Sequence, residues 1–343
     1  MRIGRPLAFA ALVLLVVAVL VLGVLLGNVP LDPGQVVFAL LQAVPGLEGV
    51  GGPVDPTVSV IVMNIRLPRV LLGIMVGAAL GVAGCAMQGL LKNPLADPYL
   101  FGVSAGAAVG SAAAAVTGFF ILGALTGPAV AFLGAILATA LVYQVSQVGG
   151  QLPVEGVLLA GVAIGSLLAA IASAIVFFDP IRRVNVIFWL LGSLQSATWT
   201  HVAIIAPLVI AGTFALLLFS RPLNAKLLGD EVASSLGVDP KRTTTLVLFL
   251  VALLTAAAVA FAGIIGFVGI IVPHTMRLLI GPDHRYLLPA SAMFGGVLLA
   301  GCDVLARSSV PGIEIPVGIL TAFLGAPFFI YLLRRYRRLK SWG

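Results

Sequence analysis

Residues 221–242 form the one long polar interruption of a sequence that is otherwise largely apolar. We call this stretch the polar segment. Its seven charged residues are Arg221, Lys226, Asp230, Glu231, Asp239, Lys241 and Arg242. Ammonium, guanidinium and carboxylate groups at this density form ion pairs and hydrogen bonds in contact with water. The polar segment is therefore suited to recognising another molecule or lipid headgroups.

The other residues with reactive side chains form no catalytic or metal-binding pattern. His201, His274 and His284 have no metal-ligand spacing with one another or with Cys85 and Cys302. Both cysteines lie in apolar runs, so we expect small buried side chains rather than a disulfide. His274 is interpreted as a hydrogen-bonded packing residue in preference to a substrate or proton site. We expect no catalytic residue, metal site or bound cofactor in this chain.

The lysines exclude one way of using ATP. None of the four, Lys92, Lys226, Lys241 and Lys340, follows a glycine, so the phosphate-binding pattern GxxxxGK[ST] does not occur. If the protein uses ATP, a separate subunit must bind it.

Composition places the protein in a membrane. Hydrophobic residues make up 61% of the 343 residues and charged residues 9%, whereas about a quarter of the residues of a soluble domain are charged. The net charge of +7 indicates topology rather than a nucleic-acid partner, because lysines and arginines accumulate on the cytoplasmic side of membrane proteins. We predict one all-α polytopic domain over residues 1–343, in the inner (cytoplasmic) membrane of the cell.

Apolar runs of about 20 residues define the predicted spans. Residues 243–281 form either one span or a hairpin that turns at 263–269, which gives a total of nine or ten. Both termini are basic and are expected in the cytoplasm, so the number should be even, and we predict ten. We expect a loop at 28–63 and a short interfacial helix at 184–194. The predicted spans are 7–26, 70–91, two within 98–154, 156–178, 201–219, two within 243–281, 286–305 and 313–333.

Local signals divide the polar segment into two short helices. Pro222 can open the first, Gly229 interrupts, Asp230 can cap the second, and Gly237 is a natural helix stop. The apolar face predicted for them consists of Leu223, Leu227, Leu228, Val232 and Leu236. The opposite polar face consists of Lys226, Asp230, Glu231, Ser234 and Ser235. This pattern fits both a loop on lipid headgroups and a docking site for a cytoplasmic partner.

Glycines recur every four residues in three predicted spans, where small side chains let helices approach closely. The repeats comprise Gly73, Gly77 and Gly81, then Gly102, Gly106 and Gly110, and finally Gly161 and Gly165. We expect them in helix contacts of the core. No charge lies near the middle of a predicted span, which disfavours the alternative of an ATP-independent secondary transporter or channel.

Several motifs give the sequence a specific resemblance. It contains RLPR at 66–69, QGLLKNPLADPYLFGVSAGA at 88–107 and LLAGVAIG at 158–165, then LGDEVASSLGV at 228–238, GFVGIIVPHTMR at 266–277, DHRYLLP at 283–289 and LGAPFFIYLL at 324–333. Through these motifs the chain resembles the permease subunits of type II ABC importers for iron–siderophore complexes, haem and vitamin B12, the FecCD or vitamin B12 permease family.

The resemblance implies ten spans and a set of partners. These are a second permease, most simply another copy of this chain, two cytoplasmic ATPases that bind Mg-ATP, and an extracytoplasmic binding protein within the lipid-embedded assembly. It also implies that the polar segment supplies the coupling helices that contact the ATPase. The corresponding residues are Leu223, Lys226, Leu228, Gly229, Asp230, Glu231, Ser234, Leu236 and Gly237.

Two further sites are implied by the resemblance. External arginines of the family pair with acidic residues of the binding protein, and they match Arg66, Arg69 and Arg307 here. The inner gate lies in the turn after the second span and the turn before the fifth. These turns correspond to Asn93 and Leu95, and to Val154 and Glu155.

Overall fold

The computed structural model describes residues 4–47, 49–118, 121–147, 153–179, 183–310 and 312–340. Over these residues the chain is helical and contains no strand, and the only bridge pairs Val310 with Ile313. The all-α fold class is thus confirmed. In chain order the helices are α1 Arg5–Leu25, α2 Pro33–Gln42, α3 Pro56–Leu90, α4 Val103–Thr117, α5 Thr126–Ser146, α6 Val154–Phe178, α7 Arg183–Leu190, α8 Trp199–Leu218, α9 Ser220–Leu227, α10 Asp230–Ser235, α11 Pro240–Ala262, α12 Val268–Ile280, α13 His284–Ser308 and α14 Val317–Lys340.

Seven of the described helices, α1, α3, α5, α6, α8, α11 and α13, are long and apolar enough to cross a membrane. Three shorter apolar helices are Val103–Thr117, Val268–Ile280 and Val317–Tyr331. Together they occupy the positions of the ten predicted spans. The hairpin predicted within 243–281 is confirmed as α11 and α12, joined by residues 263–267. The number of crossings and the side of each terminus stay predictions.

The prediction of a loop over residues 28–63 is wrong. This stretch contains α2 and the beginning of α3. Asp32 caps α2 by accepting a hydrogen bond from the Gln35 amide, and Asp55 caps α3 by accepting one from the Thr57 amide. An aspartate that precedes a proline in the first turn is a strong helix start signal, and it outweighed the other prolines of this stretch.

Helix α3 organises the bundle. It has 35 residues, so at 1.5 Å per residue it extends about 52 Å and exceeds the hydrocarbon thickness of a bilayer. Residues Ile61–Arg66 form a π-helical turn just before Pro68. The wider turn accommodates a proline whose ring would otherwise collide with the carbonyl one turn earlier.

The predicted glycine contacts occur mainly where α3 crosses α13 and where α4 crosses α5. A Cβ atom on Gly77 would collide with the carbonyl oxygen of Gly295, and the reverse is also true. Gly106 and Gly134 show the same reciprocal contact. The other glycine contacts of the repeats are Gly73 with Leu194 and Ala300, Gly81 with Ser291, Gly110 with Val130, and Gly161 with Leu100.

Two glycines of the predicted repeats do not pack in this way. Gly102 has a φ of +69° and ends the 3-10 turn before α4, and Gly165 faces open space. The four-residue spacing identified the tight contacts but also included glycines with other surroundings. Cys85 and Cys302 are free and buried, as expected.

Candidate coupling, gate and docking sites

The polar segment folds as two short helices, α9 and α10, as predicted. Gly229 lies between them with a φ of +118°, and Gly237 follows α10 with a φ of +77°. Both values lie in the region that glycine adopts without steric cost. Asp239 caps α11 by accepting a hydrogen bond from the Arg242 amide at 3.0 Å. Gly229 therefore separates the two short helices, Gly237 ends α10, and the Asp239 cap starts α11.

The two helices differ in exposure. Leu223 on α9 is fully buried, and the side chain of Lys226 is only 4% exposed. In contrast, Leu227 and Leu228 at the end of α9 are exposed, the latter to 68%, and so are Val232 in α10 and Leu236 just after it, the latter to 64%. The predicted division into an apolar face with Leu223 and an opposite polar face with Lys226 is wrong at these two positions, because both side chains are buried. These two side chains anchor α9 to the bundle.

The remaining residues of the predicted coupling set lie at the surface or close to it. Asp230, Glu231, Ser234, Leu236 and Gly237 are exposed, and Gly229 is half-buried. Hydroxyl groups in α10 bond within the helix, with Ser234 Oγ donating to the Asp230 carbonyl and Ser235 Oγ to the Glu231 carbonyl. Val232 of α10 is therefore exposed beside hydroxyl groups that bond within the helix, while Ala233 packs inward.

A side chain that the sequence did not reveal fastens α9 to α13. Asn224 Nδ2 donates to Asp283 Oδ1 at 2.7 Å, and Asn224 Oδ1 accepts from the His284 amide at 3.0 Å and lies 2.8 Å from His284 Nδ1. Asp283 also bonds Arg285, chiefly through the side chain, which lowers the pKa of the Asp283 carboxyl. The polar segment is thus connected directly to the first turn of α13.

Asp230 connects the polar segment to the turn after α3, residues 91–97, which we call the α3 turn. Its Oδ1 accepts from Lys92 Nζ at 3.1 Å and its Oδ2 from Lys226 Nζ at 3.3 Å. Lys226 also donates to the Pro240 carbonyl at 3.4 Å. One carboxylate therefore joins the end of α3, the end of α9 and the start of α10.

The predicted gate residues lie on two turns beside one cavity. Asn93 Oδ1 accepts from the Leu95 amide at 2.9 Å and shapes the α3 turn, in which Lys92 adopts a φ of +52°. Val154 is the first residue of α6, and Glu155 follows it with an exposed side chain. The cavity, of about 650 Å³, is bordered by Lys92 on one side and by Pro153 and Val157 on the other. The gate role of all four residues stays a prediction.

Arg66, Arg69 and Arg307 come together at the first half of α3, towards the end opposite the α3 turn, in what we call the arginine cluster, with Asp303 and Glu314. Arg69 donates from Nε and Nη2 to Asp303, the shortest distance being 2.9 Å, and from Nη1 to Glu314 Oε2 at 2.8 Å. Arg307 Nε lies 3.4 Å from Asp303 Oδ2. Asp303 is therefore shared by two guanidinium groups.

The other donors of the cluster close the end of α1. Arg66 Nη1 donates to the carbonyls of Val24 and Leu25 at 2.9 and 2.7 Å, and Arg66 Nη2 to that of Val29. Arg307 Nη2 donates to the Gly23 carbonyl. The last carbonyls of a helix lack partners within it and favour positive charge. These arginines satisfy them.

The three arginines do not project from the surface. Arg66, Arg69 and Arg307 are 3%, 6% and 3% exposed, and each uses its guanidinium in internal bonds. Their role in docking a binding protein stays a prediction, and in the single chain Asp303, Glu314 and the end of α1 occupy their donors. One sequence signal of this arrangement was available, since Asp303 and Arg307 are spaced i, i+4 on a helix. The pairing of Arg69 with Glu314, 245 residues apart, had no local signal.

His274 is half-buried. Its ring meets Phe328 edge to face, with ring centroids 5.9 Å apart. This contact agrees with the interpretation of His274 as a packing residue.

The fold and the site together define a class. Seven described helices long and apolar enough to cross a bilayer, with a polar segment folded as two short helices, define a multi-pass membrane protein. The model of the FecCD transport family matches residues 14–335. The chain belongs to this family of multi-pass membrane permeases.

Relatives show what members of the family do. The chain is 43% identical to the cobalamin import system permease protein BtuC of Halobacterium salinarum, over 82% of this chain and 75% of that protein. It is 39% identical to the ferric enterobactin transport system permease protein FepD of Escherichia coli, over 98% and 97%. A solved structure, described as an inward-facing conformation of a metal-chelate type ABC transporter, superposes with a TM-score of 0.82 at 31% identity, covering 97% of this chain and 100% of that one.

Proposed function

We propose that this chain, a permease of the FecCD transport family, is the membrane-spanning subunit of an ABC importer for a metal chelate. The observation that carries the proposal is the polar segment, in which α9 is fastened to the bundle while Val232 in α10 and the flanking Leu228 and Leu236 are exposed to solvent. The sequence has no phosphate-binding loop of its own. The chain therefore transmits a movement and leaves ATP hydrolysis to another subunit.

The cargo class follows from the relatives. Their names specify cobalamin, hemin and ferric enterobactin, and all three are bulky organic complexes of a metal. We propose a cargo of this class, with iron–siderophore complexes first, haem second and vitamin B12 third. Ligand-stimulated ATPase activity of the reconstituted complex, measured with one compound of each kind, decides among them.

The proposed assembly contains two copies of this chain, two ATPase subunits that bind Mg-ATP, and an extracytoplasmic binding protein. Helix α6 supports the pairing of two permeases, because its Leu159, Val162 and Leu167 are 73%, 67% and 60% exposed in the single chain. In this proposal the cargo crosses at the interface between the two copies. Closure of the ATPases moves the two polar segments and thereby opens the path to one side or the other.

The docking part of the proposal is tested on exposed side chains. Replacing Leu228, Val232 and Leu236 by serine should weaken ATPase assembly at least about tenfold, since burying one leucine or valine side chain contributes about 1.5–3 kcal/mol. The control replaces Leu133 and Leu137 by serine, because these leucines are also exposed but lie on α5. Assembly of the triple variant with the ATPase at wild-type affinity would refute docking through α10.

The rival function, an ATP-independent transporter or channel, predicts a different result. Proteoliposomes that contain the permease alone would then take up the metal chelate, or uptake would collapse with a proton uncoupler. In the proposed function uptake requires both the ATPase and ATP.

For the arginine cluster we propose that a binding protein docks at this end of α3 and engages Arg69 after Glu314 has released it. Glu314 is the one member of the cluster with a partly exposed side chain, at 24%. Changing Glu314→Gln should then strengthen binding-protein affinity in a salt-sensitive manner. An affinity that does not change would show that Arg69 remains internal in the complex.

A further inference from the structure

The α3 turn and the polar segment are joined by a single ion-paired group. Lys92 extends from the turn to Asp230 Oδ1 at 3.1 Å, across 138 residues of sequence. The turn itself is well defined, since Asn93 closes it through the Leu95 amide and Lys92 takes the left-handed conformation. A displacement of α10 is therefore transmitted to a turn that holds its shape.

The two halves of the Asp230 site differ in strength. Lys226 is almost fully buried and keeps a second acceptor, the Pro240 carbonyl. Lys92 and Asp230 are 41% and 56% exposed in their side chains. A buried ammonium group is expensive to separate from its carboxylate, whereas an exposed ion pair contributes little. When α10 moves, Asp230 can release Lys92 and retain Lys226.

The surrounding geometry leaves room for this movement. Lys92, Lys226 and Asp230 border the cavity of about 650 Å³ that also separates the α3 turn from the start of α6. The other charged groups that face it are Glu231, Asp239 and Lys241. On the far side of α9, Asn224 holds the polar segment to α13. The segment is thus pinned at α9, while the polar face of α10 borders an open cavity.

We infer that Asp230 and Lys92 form a releasable latch that positions the α3 turn according to the position of the polar segment. Asp230 is a positioning residue that acts on the turn inside its own chain, in addition to any contact that α10 makes with the ATPase. The inference rests on the proposed function, because it assigns the route by which the ATPase reaches the gate.

The latch is intact at neutral pH. Burial raises the pKa of the Asp230 carboxyl, but the hydrogen bond from Lys92 and the charges of Lys226 and Lys92 lower it overall. A carboxyl whose pKa is lowered in the folded state contributes stability above its unfolded pKa of about 3.9 and loses it as pH falls through the folded value. The contribution is therefore constant across the physiological range.

The first test removes either partner in the complete complex reconstituted with ATPase, binding protein and a metal chelate. Lys92→Gln and Asp230→Asn should each lower the cargo imported per ATP hydrolysed by about two- to fivefold. The double variant should be no worse than the more affected single variant, as expected of two groups that share one interaction. Lys241→Gln, which removes a positive charge from the same cavity, is the matched control and should retain the wild-type ratio.

The second test asks whether the latch must open. Lys92→Cys and Asp230→Cys are combined and joined by a short bifunctional thiol reagent, and the buried Cys85 and Cys302 provide a low background. The joined complex should bind the ATPase normally but stop importing, and cleavage of the reagent should restore import. Each single cysteine variant treated with the reagent is the control.

The outcomes separate this inference from the proposed function. A wild-type complex without ATP-dependent import would refute the proposed function itself. If the wild type imports normally and Lys92→Gln keeps its cargo-to-ATP ratio, or if the joined complex continues to import, the latch is refuted while the proposed function stands.

Discussion

The two ends of helix α3 are held by the same arrangement of charges in different surroundings. At the first end Asp303 is shared by Arg69 and Arg307, and after the second end Asp230 is shared by Lys92 and Lys226. In each case one cation, Arg307 or Lys226, lies four residues from the carboxylate in the sequence. The other cation, Arg69 or Lys92, comes from α3 or from the α3 turn. Arginines and near-complete burial occur at one end, lysines and partial exposure at the other.

This difference indicates which end is fixed. Guanidinium groups bind a carboxylate through several donors in a rigid plane, whereas an ammonium group acts as a point charge on a flexible stem. Removing one partner of a buried pair leaves an uncompensated charge, but an exposed pair can separate into water. The arginine cluster is therefore a clamp, and the Asp230 site is a contact that can open and close.

The largest expected effect is the loss of stability when the buried carboxylate of the arginine cluster is removed. Asp303→Ala leaves Arg69 and Arg307 without their shared carboxylate and should lower the free energy of unfolding by about 3–5 kcal/mol. Thermal or denaturant unfolding of the purified permease in detergent measures it. Asp230→Ala is the matched variant at the other end and should cost less than about 1 kcal/mol. Equal losses for the two variants would remove the distinction between the ends.

The second prediction concerns the anchor of the polar segment. Asn224→Ala removes the hydrogen bonds to Asp283 and His284 and should cost about 2 kcal/mol, because buried polar partners are left unpaired. Hydrogen exchange should then show lower protection in α9 and in the first turn of α13. If protection falls only in α10, the pivot lies elsewhere than Asn224.

The sequence predicted the helices better than the contacts between them. Apolar length and glycine or proline breaks located the spans, the hairpin of α11 and α12, and the two helices of the polar segment, because these signals are local. The aspartate–proline signals that start α2 and α3 are local as well, but the other prolines of residues 28–63 favoured the prediction of a loop.

The site was predicted only in part for a physical reason. Which face of α9 packs inward depends on α13, so Leu223 and Lys226 gave no sign of burial within their own segment. Arg66, Arg69 and Arg307 were correctly grouped at one end, but charge alone does not tell whether a guanidinium points outward or satisfies an internal carboxylate and the end of another helix. Such pairings join residues more than 200 positions apart, and no spacing rule encodes them.

The third prediction concerns how the contribution of Glu314 to the stability of the arginine cluster depends on pH. Burial raises the pKa of the Glu314 carboxyl, but the hydrogen bond from Arg69 and its charge lower it overall. Glu314 should therefore stabilise the fold above its unfolded pKa of about 4.3, and this contribution should disappear as pH falls through the lower folded value. Glu314→Gln should cost about 1 kcal/mol at pH 7. The difference in unfolding free energy between the wild type and the variant should vanish at low pH; a constant difference would mean that its charge is not involved.

The smallest expected effect on stability separates folding from function at the releasable end. Leu228, Val232 and Leu236 on the polar segment are exposed, so their joint replacement by serine should change the free energy of unfolding of the isolated permease by no more than about 0.5 kcal/mol. The same variant is expected to lose ATPase assembly. Since these three side chains are exposed in the single chain, little stability should depend on them. A large loss of stability would mean that they are buried in the native permease and not available to a partner. Retained stability with lost assembly would show that these three side chains serve to bind the ATPase and not to stabilise the permease.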